Sequence, residues 1–135
     1  MKLRKSEIGY AAGSFDIHGS IKILIPDKEE LADGTKLYPS LYVKVTAKNI
    51  NLMKFFQLFD AVIGPSSGGQ FRAKWKDETA VRFLKLILPD LIIKKEQAEL
   101  GIEFWKSGLG APPKRGIAEE FKVRLSLLKK DNFNE

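Results

Sequence analysis

The stretch Tyr10-Ala11-Ala12-Gly13-Ser14-Phe15-Asp16-Ile17-His18-Gly19-Ser20-Ile21 changes its period part-way along. Between Ser6 and Asp16, the apolar side chains of Ile8, Ala11, Ala12 and Phe15 recur at helical spacing. Ser6 is placed to cap the start of that helix and Gly19 to end it. From Ser20 onward the period is two. Ile21, Ile23 and Ile25 alternate with Ser20, Lys22 and Leu24 until Pro26, as in a strand with one buried face. Within the helix, Ala11, Ala12, Gly13 and Ser14 leave so little bulk that another helix backbone can come close. Packing inside the chain is the other use of such a run.

Beyond Pro26 lies a polar connection, Asp27 to Leu37, with a turn signal at Asp33-Gly34 and acids at Asp27, Glu29, Glu30 and Asp33. Leu41, Val43 and Val45 then alternate with Ser40, Tyr42, Lys44 and Thr46, which predicts the second strand of an antiparallel ribbon. Ile50, Met53, Phe56 and Phe59 make an amphipathic helix that stops before Gly64-Pro65. A second ribbon follows. Val62 and Ile63 form a short strand, residues 66–69 turn the chain, and Phe71, Ala73 and Trp75 alternate with Gln70, Arg72, Lys74 and Lys76. Asp77 is placed to cap a helix that Pro89 interrupts, and Asp90 another that runs to about Trp105. After a Gly- and Pro-containing linker from Gly108, a last helix carries Ile117, Phe121, Leu125 and Leu128. The expected organisation is one α+β domain over residues 1–107, with residues 108–135 as a linker and a C-terminal helix packed on it.

The outward face of both ribbons offers Ser20, Lys22, Ser40, Tyr42, Lys44, Thr46, Gln70, Arg72 and Lys74, with no acid among them. A strand of about eight residues spans roughly 26 Å, about eight base pairs, and a two-stranded ribbon fits the major groove. A one-sided sheet in water also shows polar residues outward. The overall balance, 23 Lys and Arg against 17 Asp and Glu, leans the same way, toward a polyanionic partner. The 135 residues contain no cysteine, which excludes disulfides and thiolate metal sites. No apolar run has signal-peptide or membrane-span length. The expectation is a protein that is intracellular (cytoplasmic or organellar), not secreted, and without a membrane partner.

The opening stretch resembles the LAGLIDADG motif of homing endonucleases, with Tyr10, Ala12, Gly13, Asp16, Gly19 and Ser20 typical of that family. Residues 40–46 resemble the family's second strand, and residues 88–100, with Pro89, Lys94, Gln97 and Ala98, its late helix. The likeness covers roughly Ser6 to Trp105. It implies an αββαββα fold with an antiparallel sheet saddle and C-terminal helices. It also implies a homodimer through Ala11, Ala12, Gly13 and Ser14, and binding of double-stranded, near-palindromic DNA. Homing endonucleases serve intron or intein mobility. In the family the last acid of the motif binds a divalent metal, magnesium or manganese, for phosphodiester hydrolysis. That position is His18 here, and imidazole lacks the hard oxygen magnesium takes. His18 is then either a ligand to a softer ion such as manganese or zinc, or a helix-end residue bonded to phosphate or backbone. Asp16 is a structural residue or a substitute metal ligand. Lys94 matches a lysine beside the scissile phosphate, and Ala47 stands where a polar residue is common.

Binding with weakened or lost cleavage is therefore the first expectation, and an active metal-dependent endonuclease the alternative. A basic module for RNA or protein ranks last, because only Tyr42 offers an exposed aromatic ring for base stacking.

Overall fold

The computed structural model describes residues 2–133, the last three by their backbone alone. The elements run α1 (Lys5–His18), β1 (Gly19–Leu24), β2 (Ser40–Ala47), α2 (Ile50–Gln57), β3 (Val62–Pro65), β4 (Phe71–Lys76), α3 (Asp77–Ile87), α4 (Lys95–Lys106) and α5 (Arg115–Phe133). The two ribbons join into one antiparallel sheet in the order β1-β2-β4-β3, because β2 pairs with β4. The connection between β1 and β2 folds into a small hairpin of its own, bridged at Glu30 and Lys36. Gly68 and Gly69 take positive φ between β3 and β4, a conformation glycine adopts without steric cost.

Alternation decides which face is buried. Ile21, Ile23, Leu41, Val43, Val45, Ala73 and Trp75 all point to the helices and are buried. Trp75 stacks on Phe83 with ring centroids 3.8 Å apart and donates its indole N–H to the Phe59 carbonyl at 2.8 Å. Burying that indole without an acceptor would leave a polar group unpaired, so the α2 end is fixed by chemistry as well as by packing. Helix α4 runs close over the sheet at Gly101, where an added Cβ would lie 3.3 Å from both Ile21 and Leu41. Helix α5 packs on α4 and β1 through Ala118, Phe121 and Leu125. Among the described residues, no helix is long and apolar enough to cross a membrane.

Several expected helix boundaries move. Helix α1 is capped by Arg4, whose backbone N–H donates to Glu7 at 2.9 Å, and Ser6 lies inside it. Gly19 does end α1, in an extended conformation; a Cβ there would fall within 2.6 Å of the Phe15 ring, so glycine is required by that ring. Asp77 begins α3 at φ +54, but its carboxylate accepts from the Ser40 hydroxyl at 2.8 Å and the Leu41 amide at 3.0 Å, tying α3 to β2. Asp90 ends a one-turn 3-10 helix and caps nothing. Ile117 is exposed, and Ala118 takes its place against the core.

Candidate nucleic-acid interface

Strand register lines up the outward side chains in rows across the sheet. One row is Lys22, Tyr42 and Lys76, the next Ser20, Lys44 and Lys74, and the next Thr46 and Arg72. Lys44 and Lys74 are direct neighbours, a like-charge pairing that destabilises a sheet unless something anionic lies over it. Partial burial, then the charges of Lys22 and Arg72, push the Lys44 ammonium below its ordinary pKa. The buried Nε of Arg72 has no acceptor among the described residues. No carboxylate occupies these rows, and the first acid after them, Asp77, is committed to Ser40 and Leu41.

All nine expected positions stand on or beside these rows, and the Ser40 hydroxyl donates to Asp77. Lys76 was missed, although the same alternation that exposed Lys74 should have included it.

The lower end of α1 is built differently from what its sequence suggested. Asp16 is 7% exposed, and its carboxylate accepts the backbone amides of Ile92 at 2.8 Å, Ile93 at 3.2 Å and Lys94 at 3.0 Å. Those amides belong to the bend that leads into α4. The Lys94 ammonium donates back to the Asp16 carbonyl. Burial lowers the Lys94 pKa and the neighbouring Asp16 carboxylate partly restores it. Asp16 is thus a joint between α1 and α4, accepting three backbone amides, which is the structural one of its two expected roles. His18 ends α1, exposed, with no side-chain hydrogen bond to the described residues.

This donor set does not fit a hard divalent cation. Among the described residues no three His, Asp or Glu side chains converge, and the exposed His18 imidazole offers no oxygen to hold magnesium. Ala47, at the end of β2, packs against the core.

The expected contact residues of α1 do not all lie on its exposed side. Ala11 and Ala12 are fully buried in the chain's own core and cannot face a second copy. The open stripe of α1 is Gly9, Tyr10, Gly13 and Ile17, with Ile17 72% exposed and nothing within 4 Å of a Cβ added at either glycine. Ser14 borders it, partly buried.

One sheet packed beneath helices, with an opening helix that runs straight into its edge strand, is an architecture that known structures share. I-CvuI, a homing endonuclease in complex with the I-CreI target and 2 mM Mg with its DNA not cleaved, superposes with a TM-score of 0.76. The match covers 92% of this chain and 82% of that one, at 17% identity. The chain has the LAGLIDADG homing-endonuclease fold. The archaeal intron-encoded I-Vdi141I, complexed with DNA, shares the LAGLIDADG architecture over 96% of this chain and 83% of its own, with a TM-score of 0.63 and 18% identity. I-TnaI matches over 98% and 99%, with a TM-score of 0.60 at 13% identity. By sequence, no family model and no curated protein matches the chain.

Proposed function

We propose that this protein binds double-stranded DNA as a homodimer and has lost, or nearly lost, magnesium-dependent cleavage. The observation that carries the reading is the sheet face: rows of Lys22, Lys44, Arg72 and Lys74 at strand spacing, with like charges side by side and no acid among them. Two such faces, related by a two-fold axis along α1, suit a near-palindromic duplex. The fold neighbours crystallised with DNA support the partner class.

Cleavage needs charge to be stabilised at the reacting phosphate. In the family a carboxylate-held metal supplies that; here the motif acid is His18 and Asp16 is engaged by three amides. A second copy would bring another His18 and no further carboxylate.

Selection from a random duplex pool, followed by anisotropy at varied salt with and without magnesium, tests both halves. If the four strand cations of each protomer meet one phosphate each, they contribute a slope of about −7 in log affinity against log salt. The duplex is expected to bind in chelator and to emerge uncut from magnesium. Robust magnesium-dependent cutting by the unmodified protein would overturn the loss of cleavage, and a flat salt response would overturn the binding face.

A further inference from the structure

Four strands at a spacing of about 4.8 Å set the outer two roughly 14 Å apart, close to the ~12 Å width of a major groove. A sheet laid in that groove turns its inner strands, β2 and β4, toward the base edges and its outer strands, β1 and β3, toward the flanking phosphates. On this face the inner strands carry Tyr42, Lys44, Thr46, Arg72, Lys74 and Lys76. Arg72 differs from the rest in its setting. It stands between Thr46 on β2 and Gly64 on β3, so neither neighbour on its row is charged. Gly64 has no side chain to cover it, and a Cβ built there would lie 3.7 Å from an Nη of Arg72, which puts the guanidinium over that glycine. With Nε buried and without an acceptor among the described residues, the terminal nitrogens are the donors left to face the groove. The Ser20 hydroxyl on the neighbouring row is buried as well, so the hydrogen-bonding groups that row shows are Lys44 and Lys74.

We propose that Arg72 is a specificity-determining residue that reads one guanine in each half-site, with its fork on the O6 and N7 of that base. In the major groove guanine alone presents two acceptors side by side. Adenine sets a donor next to its N7, thymine has one acceptor beside a methyl group, and cytosine offers a donor. A guanidinium has donors only, in a fixed fork that matches two neighbouring acceptors, whereas an ammonium is a point charge. No carboxylate stands on these rows to draw Arg72 aside. A phosphate also takes a bidentate arginine, but phosphates flank the groove and Arg72 belongs to an inner strand. The next row lies two residues along the strands, about 6.6 Å or roughly two base pairs. Lys44 and Lys74 stand there, so acceptor-bearing bases are expected at that distance from the guanine. The inference rests on the DNA-binding reading and names part of the target. It takes Arg72 out of the phosphate contacts, which moves the expected salt slope from about −7 to about −5.

The test uses duplexes that the full-length protein selects from a random pool in chelator. Each half-site should contain one guanine whose replacement by another base weakens wild-type binding by roughly 5- to 150-fold. Selection repeated with Arg72→Gln should turn that position to adenine, whose N6 and N7 match the glutamine amide, or leave it unspecified, with the rest of the site unchanged. In the second arm each guanine of the selected site is replaced in turn by 7-deazaguanine, which pairs normally but lacks the N7 acceptor. The wild type should lose affinity at the assigned guanine, and Arg72→Gln should not. An Arg72→Gln protein that weakens on all duplexes alike and keeps the wild-type preference makes Arg72 a phosphate contact, and overturns the assignment while DNA binding stands. Should that variant not fold, the wild type decides alone: affinity unchanged by 7-deazaguanine at every position overturns the guanine contact. If no duplex binds at all, the DNA reading itself falls and the assignment falls with it.

Discussion

A carboxylate in the last turn of a helix faces the negative end of the helix dipole, where its charge is disfavoured. Asp16 is held there by three amides from the bend before α4, one of them 78 residues away in the chain. Charge-assisted hydrogen bonds to backbone amides are among the stronger ones, and removing the acceptor leaves amides half-buried and unmet. Asp16→Ala is therefore expected to destabilise the protein by about 2–4 kcal/mol, read as a lower denaturant midpoint at constant slope. Asp16→Asn, which keeps one oxygen acceptor, should lose less. Unchanged stability in Asp16→Ala would return Asp16 to the role of a ligand. The motif spacing singled out this residue, but nothing near it in sequence names its partners. Asp90, the local signal for the start of α4, is the wrong acid for that reason.

The glycines of α1 raise a different question, because an exposed glycine inside a helix costs up to about 1 kcal/mol relative to good helix formers. Gly9 and Gly13 sit on an open stripe, with nothing within 4 Å of an added Cβ in the isolated protomer. Gly13→Leu should consequently act in opposite senses: the protomer gains up to about 1 kcal/mol of helix stability while the dimer separates. Light scattering together with thermal denaturation reads both. A Gly13→Leu protein that remains dimeric places the subunit contact elsewhere. Sequence periodicity located α1, both ribbons and the outward rows, since two-residue and helical periods depend only on local burial. It could not say which side of α1 is covered. Ala11 and Ala12 read as small and available, yet the sheet and α3 lie over that side, a fact of long-range packing. The place of Lys129 was hidden in the same way, since its neighbours Lys22, Lys44 and Lys94 come together only when α5 docks.

Three lysines on or beside the basic sheet face, Lys44, Lys94 and Lys129, have pKa values lowered from 10.5, each first by burial. A base whose folded pKa lies below its unfolded value destabilises the fold while it stays protonated. That penalty is fully present below the folded pKa and is lifted as pH rises through it toward 10.5. Binding runs the other way, because phosphates need the protonated forms. Just below pH 10.5 the free protein should gain stability while its affinity for duplex falls, and association should take up protons. Calorimetry in two buffers of different ionisation enthalpy measures that uptake; none at all would mean these lysines do not meet the DNA.

The Asp16 joint also imposes an order in time. Closing a loop of more than seventy residues costs chain entropy before any amide can reward it, and folds rich in such contacts form slowly. Helix α1 and the four strands lie earlier in the chain than the amides Asp16 requires, so during synthesis the binding face is complete in sequence before its lower end can close. Until α4 has been made, the basic sheet face stands without the joint that closes the foot of α1.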